Sequence, residues 1–259
     1  MSKFKAVVFD WAGTMIDFGS FAPMGAFVET FAKFGVAVTI GDARKPMGLP
    51  KRAHIAAMLA EPHIAERWRK AQGEMPGEAA IDKVYALFVP LNEEVVTDYC
   101  TLIPGALDAV AYLRGKGIKI GSTTGYTRSI MERVLPLAAE QGYVADNLIC
   151  ADDLALGRPT PIGMYKCFVD LMVYPASAVI KVDDTEPGIA EGVAAGCITV
   201  GLTLSGNEAG LTVEQLADLS PSERQALHAR VGAKLKAAGA TYVIETVADL
   251  PKLIDTLDA

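Results

Sequence analysis

Cysteine and histidine are scarce in this chain: its 259 residues include four cysteines and three histidines. Cys100, Cys150, Cys167 and Cys197 are scattered, with no C-x-x-C pair and no histidine at metal-ligand spacing. That pattern speaks against a zinc module and a disulfide framework, and the four read as reduced, mostly buried thiols. Positive charge is also in deficit. Lys and Arg number 24 against 31 Asp and Glu, so 24 − 31 gives a formal charge of −7. A general nucleic-acid surface would be basic, although a few local cations can still dominate a cleft for a small anion. Long hydrophobic runs are missing too: no stretch reaches the roughly 18 uncharged apolar residues that a membrane span needs. The N-terminus, MSKFKAVVFDW, runs into a strand-like segment with no exported leader. The expectation is a cytoplasmic protein with neither a membrane nor a nucleic acid as partner.

Apolar residues make up 51% of the chain, enough for a sizeable core, and the length suits one domain with an insert. Short runs rich in Val and Ile fall at 5–10, 119–124, more weakly at 147–150, then at 178–184, 198–202 and 241–245. Runs this short that end in polar residues suit strands covered on both faces. Helical patterns lie between them at 105–114, 127–141, 162–172 and 188–195, with Thr127 as a cap candidate. The alternation predicts an α/β fold with a Rossmann-like parallel sheet and right-handed crossovers. One region breaks it. From 21 to 99 only helical patterns occur, at 24–34, 52–59, 64–72 and 79–88. This reads as an inserted α-helical cap domain, with the catalytic core in 1–20 and 100–259. A polar, helix-leaning excursion at 206–230 precedes the last strand.

In an open parallel sheet, ligands bind beyond the carboxyl ends of the strands. The residues there are Asp10 to Thr14, then Thr124-Gly125-Tyr126, then Gly157-Arg158-Pro159, then Asp183-Asp184-Thr185. They offer carboxylates, a hydroxyl on a glycine turn and a cation. Carboxylates with a backbone carbonyl suit magnesium. A hydroxyl, backbone N–H groups and a guanidinium suit phosphoryl oxygens. A single strand-end aspartate would ordinarily cap a helix or face solvent; four such groups in order point to phosphoryl transfer.

The runs F-D-W-A-G-T, S-T-T-G-Y, G-R-P and D-D-T resemble the four motifs of the haloacid dehalogenase superfamily, over essentially the whole chain. The resemblance implies that Asp10 attacks phosphorus and becomes an aspartyl phosphate. It implies that Thr124 and Arg158 bind the phosphoryl group, and that Asp10, Asp184 and the Ala12 carbonyl hold Mg2+. Two departures stand out. Arg158 occupies a position that is usually Lys, and Gly188 one that is often Asp, leaving Asp183 to compensate.

A third departure narrows the reaction. Phosphatases of the superfamily carry an aspartate two residues after the nucleophile as general acid, and here that residue is Ala12. The insert supplies a different group. In the run 44–54, R-K-P-M-G-L-P-K-R-A-H, a turn would deliver Lys51 to the start of a helix among Arg44, Lys45 and Arg52. Like charges, partial burial and a helix N-terminus each lower a lysine pKa toward the neutral, nucleophilic amine. By its neighbours alone, Lys51 would ordinarily be a solvated cation. The pairing of this cap segment with F-D-W-A-G-T is similar to the phosphonatase (phosphonoacetaldehyde hydrolase) family, in which the cap lysine forms a Schiff base with an aldehyde. An imine beside a carbon–phosphorus bond accepts its electrons, so an enamine leaves instead of a carbanion. No proton donor at position 12 is then needed.

The same resemblance makes His54, three residues on and on the same helical face, a candidate proton relay. It sets Met47 beside the lysine, although ordinary packing is an equal reading. Tyr126 is read as touching the aldehyde, ordering the site or simply packing. Gly125 is read as letting a backbone N–H approach phosphate, and Trp11 as packing against the cap. A homodimer through the cap is implied, with Phe27, Phe31 and Phe34 compatible with that face or with the cap core. The rival readings are a magnesium-dependent phosphomonoesterase or sugar-phosphate mutase, a haloacid dehalogenase, and a non-catalytic binding protein.

Overall fold

The computed structural model describes residues 2–259. Five parallel strands form one sheet, β1 (Ala6–Phe9), β2 (Lys119–Ser122), β3 (Val179–Asp183), β4 (Ile198–Leu202) and β5 (Tyr242–Ile244), in the order β2-β1-β3-β4-β5. After β1 the chain adds β2 on one side of it and then crosses to add β3 on the other. The crevice where strand order reverses therefore lies at the end of β1. Phe9 stands opposite both Ser122 and Val182, so Asp10, Thr123 and Asp183 emerge side by side. Two backbone bonds fix that alignment, from Asp10 N–H to the Val182 carbonyl and from Thr123 N–H to the Phe9 carbonyl, both 3.1 Å.

The strand expected at 147–150 does not form. It reduces to one parallel bridge between Thr123 and Ile149 at the edge of β2. Asn147 spends its side-chain carbonyl on the Ser122 N–H (3.3 Å), and Cys150 N–H turns to the Asp153 carboxylate (2.7 Å), so the ladder cannot extend.

The helices in the insert are α1 (Ala22–Lys33), α2 (Ile40–Arg44), α3 (Lys51–Ala60), α4 (Pro62–Gln72) and α5 (Glu78–Val95). They enclose an apolar cluster of their own, including Phe27, Phe31, Ile55, Met58, Trp68 and Phe88. Each such side chain contributes roughly 1.5–3 kcal/mol through burial. Phe27 and Phe31 are fully buried there and Phe34 packs on Trp68, so these three serve the cap core. The last of these helices runs through Pro90 to Val95, further than its sequence pattern suggests.

The sheet is flanked by α6 (Ala106–Gly115), α7 (Arg128–Glu140), α8 (Ile162–Leu171), α9 (Glu186–Ala194), α10 (Val213–Ala217), α11 (Pro221–Ala237) and α12 (Leu250–Asp258). Thr127 precedes α7 but its hydroxyl does not cap the helix; it pairs with the Ser129 hydroxyl, and Asp152 accepts the Arg128 N–H instead. Among the described residues no helix is long and apolar enough to cross a membrane.

Candidate active site

Three acids meet where β1 and β3 end. Asp10, Asp183 and Asp184 place carboxylate oxygens within 4.8 Å of one another, all buried. Burial, then the charge of Asp183, pushes the Asp10 carboxyl up to about 6, against the pull of Arg158. Burial and the charges of Asp10 and Asp183 push Asp184 well above the carboxylate range. Burial opposes ionisation of Asp183 as well, but Arg158, Lys181 and two hydrogen bonds from Thr185 hold its carboxyl low. The Asp183 Oδ2 oxygen is buried and receives no well-aligned hydrogen bond. An oxygen-only donor set of three close, buried carboxylates fits a hard divalent cation. Ala12 lines the same pocket as Asp10.

Position 188 explains how Asp183 fits. A Cβ there would lie 1.9 Å from Asp183 Oδ2 and 2.1 Å from its Cγ. The bare Cα of Gly188 is thus the space the carboxylate occupies.

Cations sit beneath the acids. Arg158 Nη2 lies 2.9 Å from Asp10 Oδ1 and 3.4 Å from Asp183 Oδ2, and its Nε lies 3.1 Å from Glu191 Oε2. It also donates to the Thr123 carbonyl (2.6 Å). Burial opposes its charge, but Asp10, Asp183 and Glu191 together hold it above its ordinary range. Lys181, fully buried in β3, donates to Thr123 Oγ1 (2.7 Å) and lies 3.1 Å from Asp183 and 3.6 Å from Glu191. Lys181 and Glu191 were missed in the sequence. The available signal was a charged residue inside the otherwise apolar run A-V-I-K-V.

The cap completes the pocket. Lys51 is the first residue of α3, is 3% exposed, and makes no hydrogen bond or ion pair among the described residues. Its amine lies 4.9 Å from the Tyr126 ring centre and 5.8 Å from that of Phe27. Burial lowers its pKa to about 8; Asp10 opposes this and Arg158 adds to it. The like charge beside it is therefore Arg158. Arg44, Lys45 and Arg52, expected in that role, are drawn away to Asn207, Glu61, and Glu78 with Asp82.

His54 is fully buried, stacked on Phe27 at 4.1 Å, and bonded through Nε2 to the Ala43 carbonyl (2.8 Å). A carbonyl only accepts, so Nε2 carries the proton and the partnerless Nδ1 presents its lone pair. Burial and Lys51 hold its pKa well below the ordinary value, keeping the ring neutral.

One pocket collects Asp10, Ala12, Lys51 and Arg158, with Met47, Thr124, Gly125 and Tyr126 around them. Asp184 and His54 lie outside its wall. Thr124 Oγ1 accepts the Tyr126 N–H (3.1 Å), and the Tyr126 hydroxyl is buried without a partner. A Cβ at Gly125 would sit 3.0 Å from the Leu49 carbonyl, so this glycine admits the cap backbone. Gly48, with φ +91°, brings the cap onto Thr185, where a Cβ would fall 2.3 Å from Oγ1. Trp11 lies in the core cluster, against Tyr143 at 5.1 Å, with its indole N–H on Ser122.

Residues 4–196 match the haloacid dehalogenase-like hydrolase family. A phosphonoacetaldehyde hydrolase of Paraburkholderia phytofirmans is 49% identical over 100% of this chain and 97% of its own. One from Pseudomonas fluorescens is 44% identical over 98% of this chain and 93% of its own. The crystal structure of a phosphonoacetaldehyde hydrolase-like protein from Oleispira antarctica superposes with a TM-score of 0.97 at 42% identity, covering 99% of this chain and 93% of that one. With an acid trio in the core and a buried amine in the cap, the chain belongs to the phosphonoacetaldehyde hydrolases of the haloacid dehalogenase superfamily.

Proposed function

We propose that this chain hydrolyses phosphonoacetaldehyde to acetaldehyde and phosphate, in phosphonate degradation, through an imine on Lys51 and an aspartyl phosphate on Asp10. The observation that carries the reading is a buried, unpaired amine lining the same pocket as the Asp10 carboxylate. Neutral Lys51 adds to the aldehyde carbon, and loss of water gives the protonated imine. His54 Nδ1, as a neutral base, passes the proton released by the amine to the carbinolamine oxygen, and a proton from solvent completes the departing water. Asp10 attacks phosphorus, and the C–P electron pair flows into the imine to leave an enamine. Protonation at carbon and hydrolysis release acetaldehyde and restore Lys51, and water then cleaves the aspartyl phosphate. Arg158 neutralises Asp10 and the phosphoryl oxygens, Thr124 and the Gly125 backbone orient them, and Met47 and Tyr126 wall the two-carbon unit. Asp10, Asp183, Asp184 and the Ala12 carbonyl would hold Mg2+, which supplies positive charge against the phosphoryl group. Ala12 provides no proton for an alkoxide, which disfavours an ordinary phosphomonoesterase or sugar-phosphate mutase.

The test measures acetaldehyde and phosphate together from phosphonoacetaldehyde with Mg2+. Borohydride added during turnover is expected to inactivate the enzyme and leave a two-carbon adduct on Lys51. Lys51→Arg keeps the charge yet is expected to lose turnover, because guanidinium forms no imine. Normal cleavage by that variant would overturn the reading.

A further inference from the structure

The side-chain hydrogen bonds between cap and core concentrate on Arg44, at the end of α2. Its Nη1 donates to the Gly19 carbonyl (2.8 Å), the Asn207 carbonyl (3.0 Å) and Asn207 Oδ1 (3.1 Å). Its guanidinium lies 5.0 Å from the Phe21 ring centre. Asn207 returns a bond from Nδ2 to the Arg44 carbonyl (3.1 Å). Its backbone N–H, pointing the other way, donates to Asp184 Oδ2 (2.8 Å).

Arg44 and these partners belong to three separate parts of the molecule. Gly19 lies in the segment that leads from β1 into the cap. Its last stretch, 17–20, holds three positive φ values, at Asp17 (55°), Gly19 (88°) and Ser20 (54°). Non-glycine residues rarely adopt such angles, and runs of them mark places where surrounding contacts hold the backbone. Asn207 lies in the core loop after β4, and Gly19 N–H is itself tied to that loop through the Ser205 carbonyl (2.7 Å). Arg44 thus bridges the cap, the segment entering it and the core. Lys51 follows seven positions later in the same cap stretch.

We infer that Arg44 and Asn207 form a latch that positions Lys51 over Asp10, and that the latch is anchored to the acid centre through the Asn207 N–H on Asp184. Arg44 acts as a positioning residue: it touches neither substrate nor reacting atoms. The three acceptors converge on one guanidinium nitrogen only when the cap is down on the core. Losing the cation removes all of its bonds together while leaving the cap interior intact. A charge-assisted hydrogen bond of this kind shifts a closed–open equilibrium by roughly tenfold or more.

The test compares the full-length wild type with Arg44→Met and Asn207→Ala. Trinitrobenzenesulfonate, too bulky for the closed pocket, labels exposed amines, and peptide mass spectrometry reads each lysine. Lys51 labelling is expected to rise about tenfold in both variants, while Lys181, buried in β3, stays unlabelled. Labelling of Lys181 would report unfolding of that variant and leave the other to decide. In the kinetic arm, KM for phosphonoacetaldehyde rises by more than kcat falls, because fewer molecules hold the closed pocket. Only this arm rests on the proposed reaction; labelling needs no chemistry at Asp10. Unchanged Lys51 protection in a folded variant overturns the latch, whereas loss of acetaldehyde formation from the wild type overturns the reaction alone.

Discussion

The free Lys51 amine should titrate near pH 8, well below the ordinary 10.5. The difference corresponds to about 3 kcal/mol against the ammonium form. Its source is burial between two aromatic rings with Arg158 nearby and no acceptor within bonding reach. At pH 7 about one molecule in ten then carries a neutral amine, against about one in 3,000 for an ordinary lysine, a gain of about 300-fold in the reactive form. The sign follows from which form burial penalises: the cation is disfavoured, so reactivity rises with pH and levels off above 8. Formaldehyde with a borane reductant is small enough to enter, and mass spectrometry of the Lys51 peptide from pH 6 to 11 gives the midpoint. Asp10 favours the ammonium form, so Asp10→Asn should move the midpoint further down. A wild-type midpoint at 10 or above, or an upward shift in Asp10→Asn, would refute the electrostatic account of this amine.

Further outcomes follow from the acid centre. Gly188→Ala forces the Asp183 carboxylate out of its place, and breaking its buried pairs costs about 3–5 kcal/mol. Calorimetry is expected to show a melting temperature lower by about 6–20 °C, and Mn2+ titration a weakened site. Lys181→Met leaves Asp183 and Glu191 sharing Arg158 alone and should destabilise by a similar amount, read by urea unfolding. Exhaustive chelation is expected to abolish phosphate release and lower the melting temperature, both restored by Mg2+; activity persisting in chelator would favour attack at carbon, as in a dehalogenase.

Much of this site was legible because catalytic side chains follow strands, and strand ends can be read from short apolar runs. Asp10, Thr124 and Asp184 needed only the parallel order to come together. Lys51 was legible through its local run, yet its surroundings were not: the basic neighbours that the sequence sets beside it turn to partners 16 to 163 positions away. Lys181, Glu191 and Asn207 were hidden for the same reason, since their meaning lies in contacts across the fold. The dependence of Asp183 on Gly188 is a matter of ångströms, and no pattern of hydrophobicity carries it. The missing strand at 147–150 shows the converse, where side-chain bonds from Asn147 and Asp153 overrule a plausible apolar run.

The bare backbones at Gly48 and Gly125 bear on how this enzyme could diversify. Each lets one unit touch the other's main chain or hydroxyl without a side chain between them. A lid transplanted from a distant cousin would meet its host at a wrong height by about the width of a methyl group. Recombination at the two crossover points would then yield folded but inert chimaeras, unless both faces of the seam travelled as one inheritance.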